Sequence, residues 1–192
     1  MNETATSQSA NSNNINKFLP NTSTPEPSAG IGRWQNLIAT NVAIAVGSRV
    51  NASKSEIYVN GMCVQLRGTM TSLPSVVVVS GEPKFADASN EVLTNPTVVV
   101  DIASGDSDPL GRVQKLESYL AIPSIKECIL IRSDEMRVEH YARQQTKQWL
   151  YRIYDERDDM ISLDALGCKI SVAEIYAQIK VRAIGLSSKA VN

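Results

Sequence analysis

The chain has 192 residues, of which 43% are hydrophobic, and a formal net charge of −1 at pH 7. This length suffices for one domain of ordinary size plus a tail, and the apolar content suffices for a hydrophobic core. The near-zero charge excludes a strongly basic protein that binds nucleic acid non-specifically, although a local basic patch stays open. No apolar run could span a membrane and no secretory signal is evident, so we expect a cytoplasmic protein without a membrane partner.

Composition divides the chain into three parts. Residues 1–30 are rich in Ser, Asn, Thr and Pro, and such a segment buries too little apolar surface to offset the entropy of ordering it. We therefore predict a disordered N-terminal tail over residues 1–30, a folded domain over residues 31–182 and a flexible C-terminal tail over residues 183–192. The three cysteines lack the spacing of a zinc or redox motif and are expected to be small buried hydrophobes.

The first half of the domain predicts one helix followed by strands. A helix is expected from about Arg33 to Val50, because apolar residues recur on one face of it: Leu37, Ile38, Val42, Ala45 and Val46. Strands are expected at Glu56–Val59 and Met62–Leu66, with Asn60-Gly61 as a tight turn between them. The continuous valine run of Ser75–Ser80 predicts a strand that is covered on both faces.

The second half predicts a strand, a helix and then a meander. After a polar loop at Ala86–Pro96, the run Thr97–Ala103 predicts a buried strand, and Ser104–Pro109 predicts a loop. The next helix has a predicted core face made of Leu110, Val113, Leu116, Tyr119 and Leu120. The remaining predicted elements are strands at Ile125–Ile131, Arg137–Ala142, Trp149–Tyr154 and Met160–Leu163 and a closing helix at Val172–Val181. This order predicts an α/β fold with a mixed sheet flanked by helices.

One polar residue interrupts the apolar pattern of the Thr97–Ala103 strand. Asp101 lies among valines and isoleucine, and a buried carboxylate is costly unless it is paired, hydrogen-bonded or bound to a metal. The strand that starts after Pro74 is a natural neighbour. Polar side chains of these two strands are therefore expected at a common rim.

Other polar residues have simpler interpretations. The lone His140 lies in an alternating segment and is expected on a strand surface, and a single histidine argues against Ser/His/Asp and Cys/His mechanisms. Three basic residues are expected at solvated strand ends, namely Arg143, Lys147 and Arg152. Four acids form an expected exposed loop rather than a calcium site, namely Asp155, Glu156, Asp158 and Asp159.

Several motifs between Gln35 and Ile179 carry a resemblance to a known family. They are Gln35–Ile38, Leu73–Val76, Gly81–Pro83, Asn95–Asp101, Ser104, Lys115–Leu116 with Tyr119, Ile122–Glu127, Leu166–Cys168 and Ala173–Tyr176. With these motifs the chain resembles the Uma-two family of restriction-endonuclease-like proteins, which is abundant in cyanobacteria. The resemblance implies the PD-(D/E)XK nuclease fold and metal-dependent hydrolysis of DNA.

The resemblance also implies roles for three residues. In that family the strand after Pro74 begins with Asp and the next core strand carries Glu, and the two carboxylates hold a divalent metal. By this resemblance Asp101 is the metal ligand, Lys115 is the cation that stabilises the transition state, and Ser75 occupies a weakened catalytic ligand position. The implied cofactor is Mg²⁺, with Mn²⁺ as the alternative, the implied partner is DNA, and a homodimer is an expectation by fold-level analogy.

Departures from the family pattern leave two functions open. Ser75 stands for the metal-binding Asp, Asp101 for the usual Glu and Gln35 for a common His. Two loop and helix positions also depart, since Gly105 stands for Pro and Gly111 for Asp. The first hypothesis is an endonuclease with a weakened site, and the second is a catalytically inactive nuclease-fold module that binds nucleic acid or protein. Under the second, Asp101 pairs with Lys115 or caps a loop.

Overall fold

The computed structural model describes residues 32–86, 88–105 and 109–180. Both predicted tails lie outside this part. In chain order the elements are α1 (Arg33–Gly47), β1 (Ser55–Val59), β2 (Cys63–Gln65), β3 (Thr71–Ser72), β4 (Val76–Ser80), β5 (Val92–Leu93), β6 (Val98–Ala103), α2 (Pro109–Leu120), β7 (Glu127–Arg132), β8 (Val138–Gln145), β9 (Gln148–Tyr154), β10 (Met160–Leu163), β11 (Cys168–Ser171) and α3 (Val172–Ile175). The predicted α/β fold class is confirmed.

A six-stranded mixed sheet forms the centre of the domain, in the order β1-β4-β6-β7-β8-β9. The neighbours β6 and β7 run parallel and are connected through α2, whereas all other neighbours in this sheet run antiparallel. The four valines of β4 are buried, which confirms a strand covered on both faces. Such continuous apolar runs are typical of strands inside a sheet with two covered faces.

Each face of the sheet has its own hydrophobic core. One face packs against α1, α3 and the β10–β11 hairpin, and it contains Ile38, Val42, Val78 and Ile129. The other face packs against α2 and the small β3-β2-β5 sheet, with Tyr119 fully buried there. The described part of the chain contains no helix long and apolar enough to cross a membrane.

The predicted hairpin at Asn60-Gly61 is wrong. β1 pairs with β4 in the central sheet, whereas β2 lies in the small sheet between β3 and β5. Asn60 does turn the chain, with a positive φ of 48°, and its N–H donates to the Ser75 carbonyl at 2.9 Å. The predicted loop at Ala86–Pro96 contains the strand β5, which is too short to show a periodic pattern.

Two helices end earlier than predicted. α1 ends at Gly47 rather than Val50. The predicted closing helix at Val172–Val181 is a single helical turn, because Tyr176 leaves the helical region with ψ of 22° and Gln178 has φ of 63°. Residue 181 lies outside the described part. The strand β11 just before this turn was not predicted.

Several side chains are placed differently from their predictions. His140 is buried rather than on a strand surface. Arg143 is not a solvated strand end, because its guanidinium donates to the carbonyls of Leu120, Ile122, Ile125 and Thr146 and lies 4.1 Å from the centroid of the Trp149 ring. Cys128 and Cys168 are buried as expected, and Cys63 is half-buried.

The predicted core face of α2 is only partly correct. Tyr119 is buried, and Leu116 and Leu120 are partly buried against the same core. Leu110 and Val113 are exposed, at 73% and 53%. The C-terminal half of the helix packs against the sheet, whereas the apolar residues of its N-terminal half are exposed to solvent.

Candidate active site

Three separate segments bring Ser75, Asp101 and Lys115 together. Asp101 lies in β6, Lys115 lies on α2, and Ser75 immediately precedes β4. β4 and β6 pair with Val76 opposite Val100, so continuing this antiparallel register by one pair places Ser75 beside Asp101. The Ser75 hydroxyl accepts a hydrogen bond of 3.2 Å from the Ile102 N–H, which holds it at the rim of the sheet.

Lys115 reaches from the helix to the carboxylate on the sheet. Its Nζ lies 2.5 Å from Asp101 Oδ2, and the side chains are 37% and 17% exposed respectively. The structure therefore includes the ion pair that the sequence left as one alternative for Asp101. A carboxylate with this little exposure is stabilised by the opposite charge, since an unpaired buried charge is costly.

Tyr119 is buried next to this ion pair. Its hydroxyl lies 2.7 Å from Ser72 Oγ, and its ring centroid lies 5.9 Å from Lys115 Nζ. Burial, and after it the negative charge of Asp101, raises the pKa of the Tyr119 hydroxyl, so this group stays protonated at neutral pH. Tyr119 can donate or accept a hydrogen bond here but does not supply a phenolate.

The three residues open onto one cleft of about 320 Å³. Its lining residues are Gln35, Asn60, Gly61, Leu73, Pro74, Ser75, Asp101, Ile102 and Lys115. Gln35, the position where the family commonly has His, accepts a hydrogen bond of 3.1 Å from the Gly32 N–H. The sequence did not identify Asn60 or Leu73 as cleft residues. The Asn60-Gly61 pair is visible in the sequence, but its pattern favours a hairpin between β1 and β2, and these strands do not pair.

The cleft offers oxygen donors to a divalent ion but little negative charge. Asp101 is the single carboxylate among the described residues that line it, and the described part of the chain holds no group of three or more His, Cys, Asp or Glu side chains suited to a metal. Mg²⁺ takes oxygen ligands and often only one or two carboxylates, with water and phosphate completing the shell. The oxygen donors of the cleft are therefore of the type that Mg²⁺ binds. They include one carboxylate, whereas the family pattern has two.

Glu82 does not add a second carboxylate to the described cleft. It lines a different surface groove, beside Lys54 and Glu56. Asp106 and Asp108 lie outside the described residues. Arg33, Arg67 and Arg112 are not among the lining residues either, so none of these arginines forms a wall of this cleft.

A second cleft of about 390 Å³ lies on the other side of α2 and is lined by Arg112, Arg132, Glu139 and Tyr141, among others. Both arginines are paired with acids, since Arg112 lies 3.3 Å from Glu139 and Arg132 binds Asp134 through two hydrogen bonds of 3.0 Å.

Gly105 lies against the Arg132–Asp134 ion pair. A Cβ built on it would come within 2.6 Å of the ends of these two side chains, so they would have to shift. Hydrogen bonds from Arg132 foremost, and from the Gly105 backbone in addition, lower the pKa of Asp134. A proline at this position would lack the N–H and would add atoms where the ion pair lies. The glycine therefore matches the local structure of this chain.

Comparison with known proteins gives consistent matches. The family model Uma2, described as "Putative restriction endonuclease", matches residues 24–173. An uncharacterised protein of Synechocystis sp. (strain PCC 6803), sll1609, is 30% identical over 125 residues, which are 65% of this chain and 71% of the relative. A second uncharacterised Synechocystis protein, slr1290, is 21% identical over 147 residues, which are 77% and 76% of the two chains.

A solved structure shares the fold. The crystal structure of a putative nuclease belonging to DUF820 from Anabaena variabilis superposes with a TM-score of 0.59 at 16% identity, covering 75% of this chain and 80% of that one. At this identity the likeness concerns the fold alone. It agrees with the mixed sheet and flanking helices described above.

Proposed function

The chain belongs to the Uma2 family of putative restriction endonucleases, and from this premise we propose that it is a metal-dependent endonuclease acting on DNA, with an active site weakened at Ser75. The observation that carries the proposal is the convergence of Ser75, Asp101 and Lys115 on one cleft. These residues come from positions 75, 101 and 115, so no local contact in the chain requires them to meet.

Each of the three residues has a role in this proposal. Asp101 and the Ser75 hydroxyl are the groups that would hold Mg²⁺ or Mn²⁺. Such an ion, when bound, activates water and offsets charge on the scissile phosphate. Lys115 supplies a fixed positive charge that stabilises the negative charge developing on the phosphate in the transition state. Its ion pair with Asp101 keeps the ammonium at the cleft before DNA arrives.

The serine weakens this site through its charge. A Ser hydroxyl is neutral, so the ligand pair has one fixed negative charge in place of two. Removing one member of a catalytic group that acts as a unit commonly lowers the rate by several powers of ten. We therefore expect slow cleavage that depends on Asp101 and rises when the second carboxylate is restored.

The ion pair of Asp101 with Lys115 favours a second candidate function. With one carboxylate already neutralised by a lysine at 2.5 Å, the cleft could serve a nuclease-fold module that binds nucleic acid without cutting it. In that case the positive charge of Lys115 contacts a phosphate, and no metal is needed. Fold alone does not decide between the two functions.

A cleavage assay separates these functions. Plasmid and single-stranded DNA are incubated with Mg²⁺ or Mn²⁺ and with the wild type, Ser75→Asp, Asp101→Asn or Lys115→Met. The matched control is Ser80→Asp, which introduces the same carboxylate at the exposed end of the same strand. We expect slow cleavage by the wild type, faster cleavage by Ser75→Asp, loss in Asp101→Asn and Lys115→Met, and no change in Ser80→Asp.

Two results would redirect the proposal. If no variant cleaves DNA and Lys115→Met weakens DNA binding in a gel-shift assay, the binding module is the correct function. If the wild type cleaves and Asp101→Asn cleaves equally well, the site lies elsewhere and the proposal is wrong.

A further inference from the structure

The helix α2 lies over a row of side chains that crosses three strands of the central sheet. Asp101 of β6 pairs with Leu130 of β7, and Leu130 pairs with Glu139 of β8. Residues that lie directly opposite each other point to the same face of a sheet, so one carboxylate lies on each side of Leu130. Because neighbouring strands are about 4.8 Å apart, the backbones that carry the two carboxylates are about 10 Å from each other.

Two basic residues of α2 reach these two acids. Lys115 Nζ lies 2.5 Å from Asp101 Oδ2, and Arg112 Nη2 lies 3.3 Å from Glu139 Oε1. Arg112 and Lys115 are three positions apart, so they are neighbours on the helix surface. Among the described residues, these two ion pairs are the ones that join α2 to the sheet. They contact the sheet on opposite sides of Leu130, and together they therefore oppose rotation of the helix about its axis.

The two ends of α2 are attached to the sheet in different ways. Tyr119 in the last turn is fully buried, whereas Leu110 and Val113 in the N-terminal half are 73% and 53% exposed. Arg112 precedes Tyr119 by seven residues, so both lie on the side of the helix that faces the sheet. In the N-terminal half, the ion pair of Arg112 therefore makes the contact with the sheet that the buried ring of Tyr119 makes in the last turn.

Glu139 is itself held in place on the sheet. Its side chain is 13% exposed, and its Oε1 also accepts a hydrogen bond of 3.0 Å from Arg137 Nε. The Tyr141 hydroxyl donates to the other carboxylate oxygen at 3.4 Å. Burial foremost, and after it the negative charge of Glu139, raises the pKa of Tyr141, so this hydroxyl keeps its proton at neutral pH. Glu139 therefore gives Arg112 a partner whose position is set by residues outside α2.

We propose that the Arg112–Glu139 ion pair positions Lys115 at the candidate active site by fixing the rotation of α2. Arg112 is not among the residues that line the cleft with Ser75 and Asp101, so it acts through Lys115. This inference rests on the proposed function for the chemical role of Lys115. The effect of Arg112 on the Lys115–Asp101 ion pair can be measured whether or not the chain cleaves DNA.

Nitrogen NMR of the lysine ammonium groups tests the positioning directly. Spectra of the full chain are recorded at low temperature without divalent ions, and the Lys115 signal is identified by its loss in Lys115→Met. A charge-assisted hydrogen bond to a carboxylate slows the exchange of ammonium protons with water, so an ordered ion pair keeps its signal. We expect this signal in the wild type and its loss in Asp101→Asn, in Arg112→Met and in Glu139→Gln. The amide signals of the same samples show that each variant is folded.

Arg137→Met is the matched control, because it removes the other guanidinium from the same Glu139 oxygen but does not alter α2. It should leave the Lys115 signal unchanged. Arg112→Lys should restore the signal, since Arg112 contacts Glu139 through one nitrogen and a lysine can make a single contact. Cleavage kinetics in the Ser75→Asp chain add a second measurement. There Arg112→Met should lower kcat about ten- to hundredfold and change KM for DNA less than about twofold, because a small displacement of a catalytic group affects mainly the chemical step.

The variants at positions 112 and 137 decide between the outcomes. Loss of the Lys115 signal in Arg112→Met with retention in Arg137→Met and recovery in Arg112→Lys supports the positioning role. A Lys115 signal that is missing in the wild type, unchanged in Arg112→Met, or lost equally in Arg137→Met overturns it. If the signal depends on Arg112 as expected but no variant cleaves DNA, the positioning of Lys115 is supported and the proposed endonuclease function is wrong.

Discussion

Glu127 and His140 show at the residue scale how a polar pair is accommodated inside the sheet. Each is 2% exposed, and His140 Nε2 lies 3.6 Å from Glu127 Oε2. The other carboxylate oxygen accepts a hydrogen bond of 3.0 Å from the Ala165 N–H, in the turn between β10 and β11. Glu127 therefore attaches this turn to the central sheet.

This arrangement predicts a difference between two substitutions of Glu127. Glu127→Leu removes the acceptor and leaves the Ala165 N–H without its partner, which should cost about 1–3 kcal/mol of unfolding free energy. Glu127→Gln keeps an oxygen for Ala165 and should cost less. Urea unfolding of both variants measures this difference. Equal losses would mean that the hydrogen bond to Ala165 does not contribute.

At the element scale, the short helix α3 depends on its first turn. Ser171 Oγ accepts from the Glu174 N–H at 3.1 Å, and Glu174 Oε2 accepts from the Ser171 N–H at 2.8 Å, which is a capping box. Arg49 Nη2 lies 2.7 Å from Glu174 Oε1 and ties α3 to the end of α1. Hydrogen bonds from the Ser171 backbone foremost, and from Arg49, lower the pKa of Glu174.

The lowered pKa predicts a pH-dependent contribution to stability. A carboxyl whose pKa is lower in the folded state stabilises the protein above its unfolded pKa, and this contribution disappears as the pH falls through the folded pKa. Glu174→Gln should therefore destabilise the protein at about pH 7 and have less effect at about pH 3. Thermal unfolding of both proteins at the two pH values checks this. A constant difference would contradict a contribution from the carboxylate charge.

α2 shows why helical periodicity alone does not tell which apolar side chains of a helix are buried. Its apolar residues recur at helical spacing, and the C-terminal ones pack on the sheet as predicted. Leu110 and Val113 carry the same pattern but extend beyond the sheet face that α2 covers. Periodicity identifies the apolar side of a helix, whereas the length of the contact depends on the element it packs against.

At the scale of the whole molecule, the described hydrophobic clusters draw their residues from positions 34–179. The predicted disorder of residues 1–30 stays a prediction, since those residues lie outside the described part. If it is correct, deleting residues 1–30 should shift the melting temperature by no more than about 2 °C, because no core side chain is removed.

A longer deletion provides the control. Removing residues 1–46 also removes most of α1, including the buried Ile38, Ala39 and Val42, and should unfold the domain or lower its melting temperature strongly. Differential scanning calorimetry compares the two truncations with the full chain. A large loss on deleting residues 1–30 alone would contradict the predicted tail.

The local pattern of the sequence determined the framework of this protein. The valine runs of β4 and β6 and the apolar stripe of α1 are local signals, because each records burial by one element, and the motifs around Ser75, Asp101 and Lys115 indicated the family and the site. Only the tertiary structure decided that Asp101 pairs with Lys115, that Asn60 and Leu73 line the cleft, that β2 leaves the central sheet and that His140 is buried. These features depend on which distant segments become neighbours, and that is settled by packing across the whole sheet rather than by the preferences of any one segment.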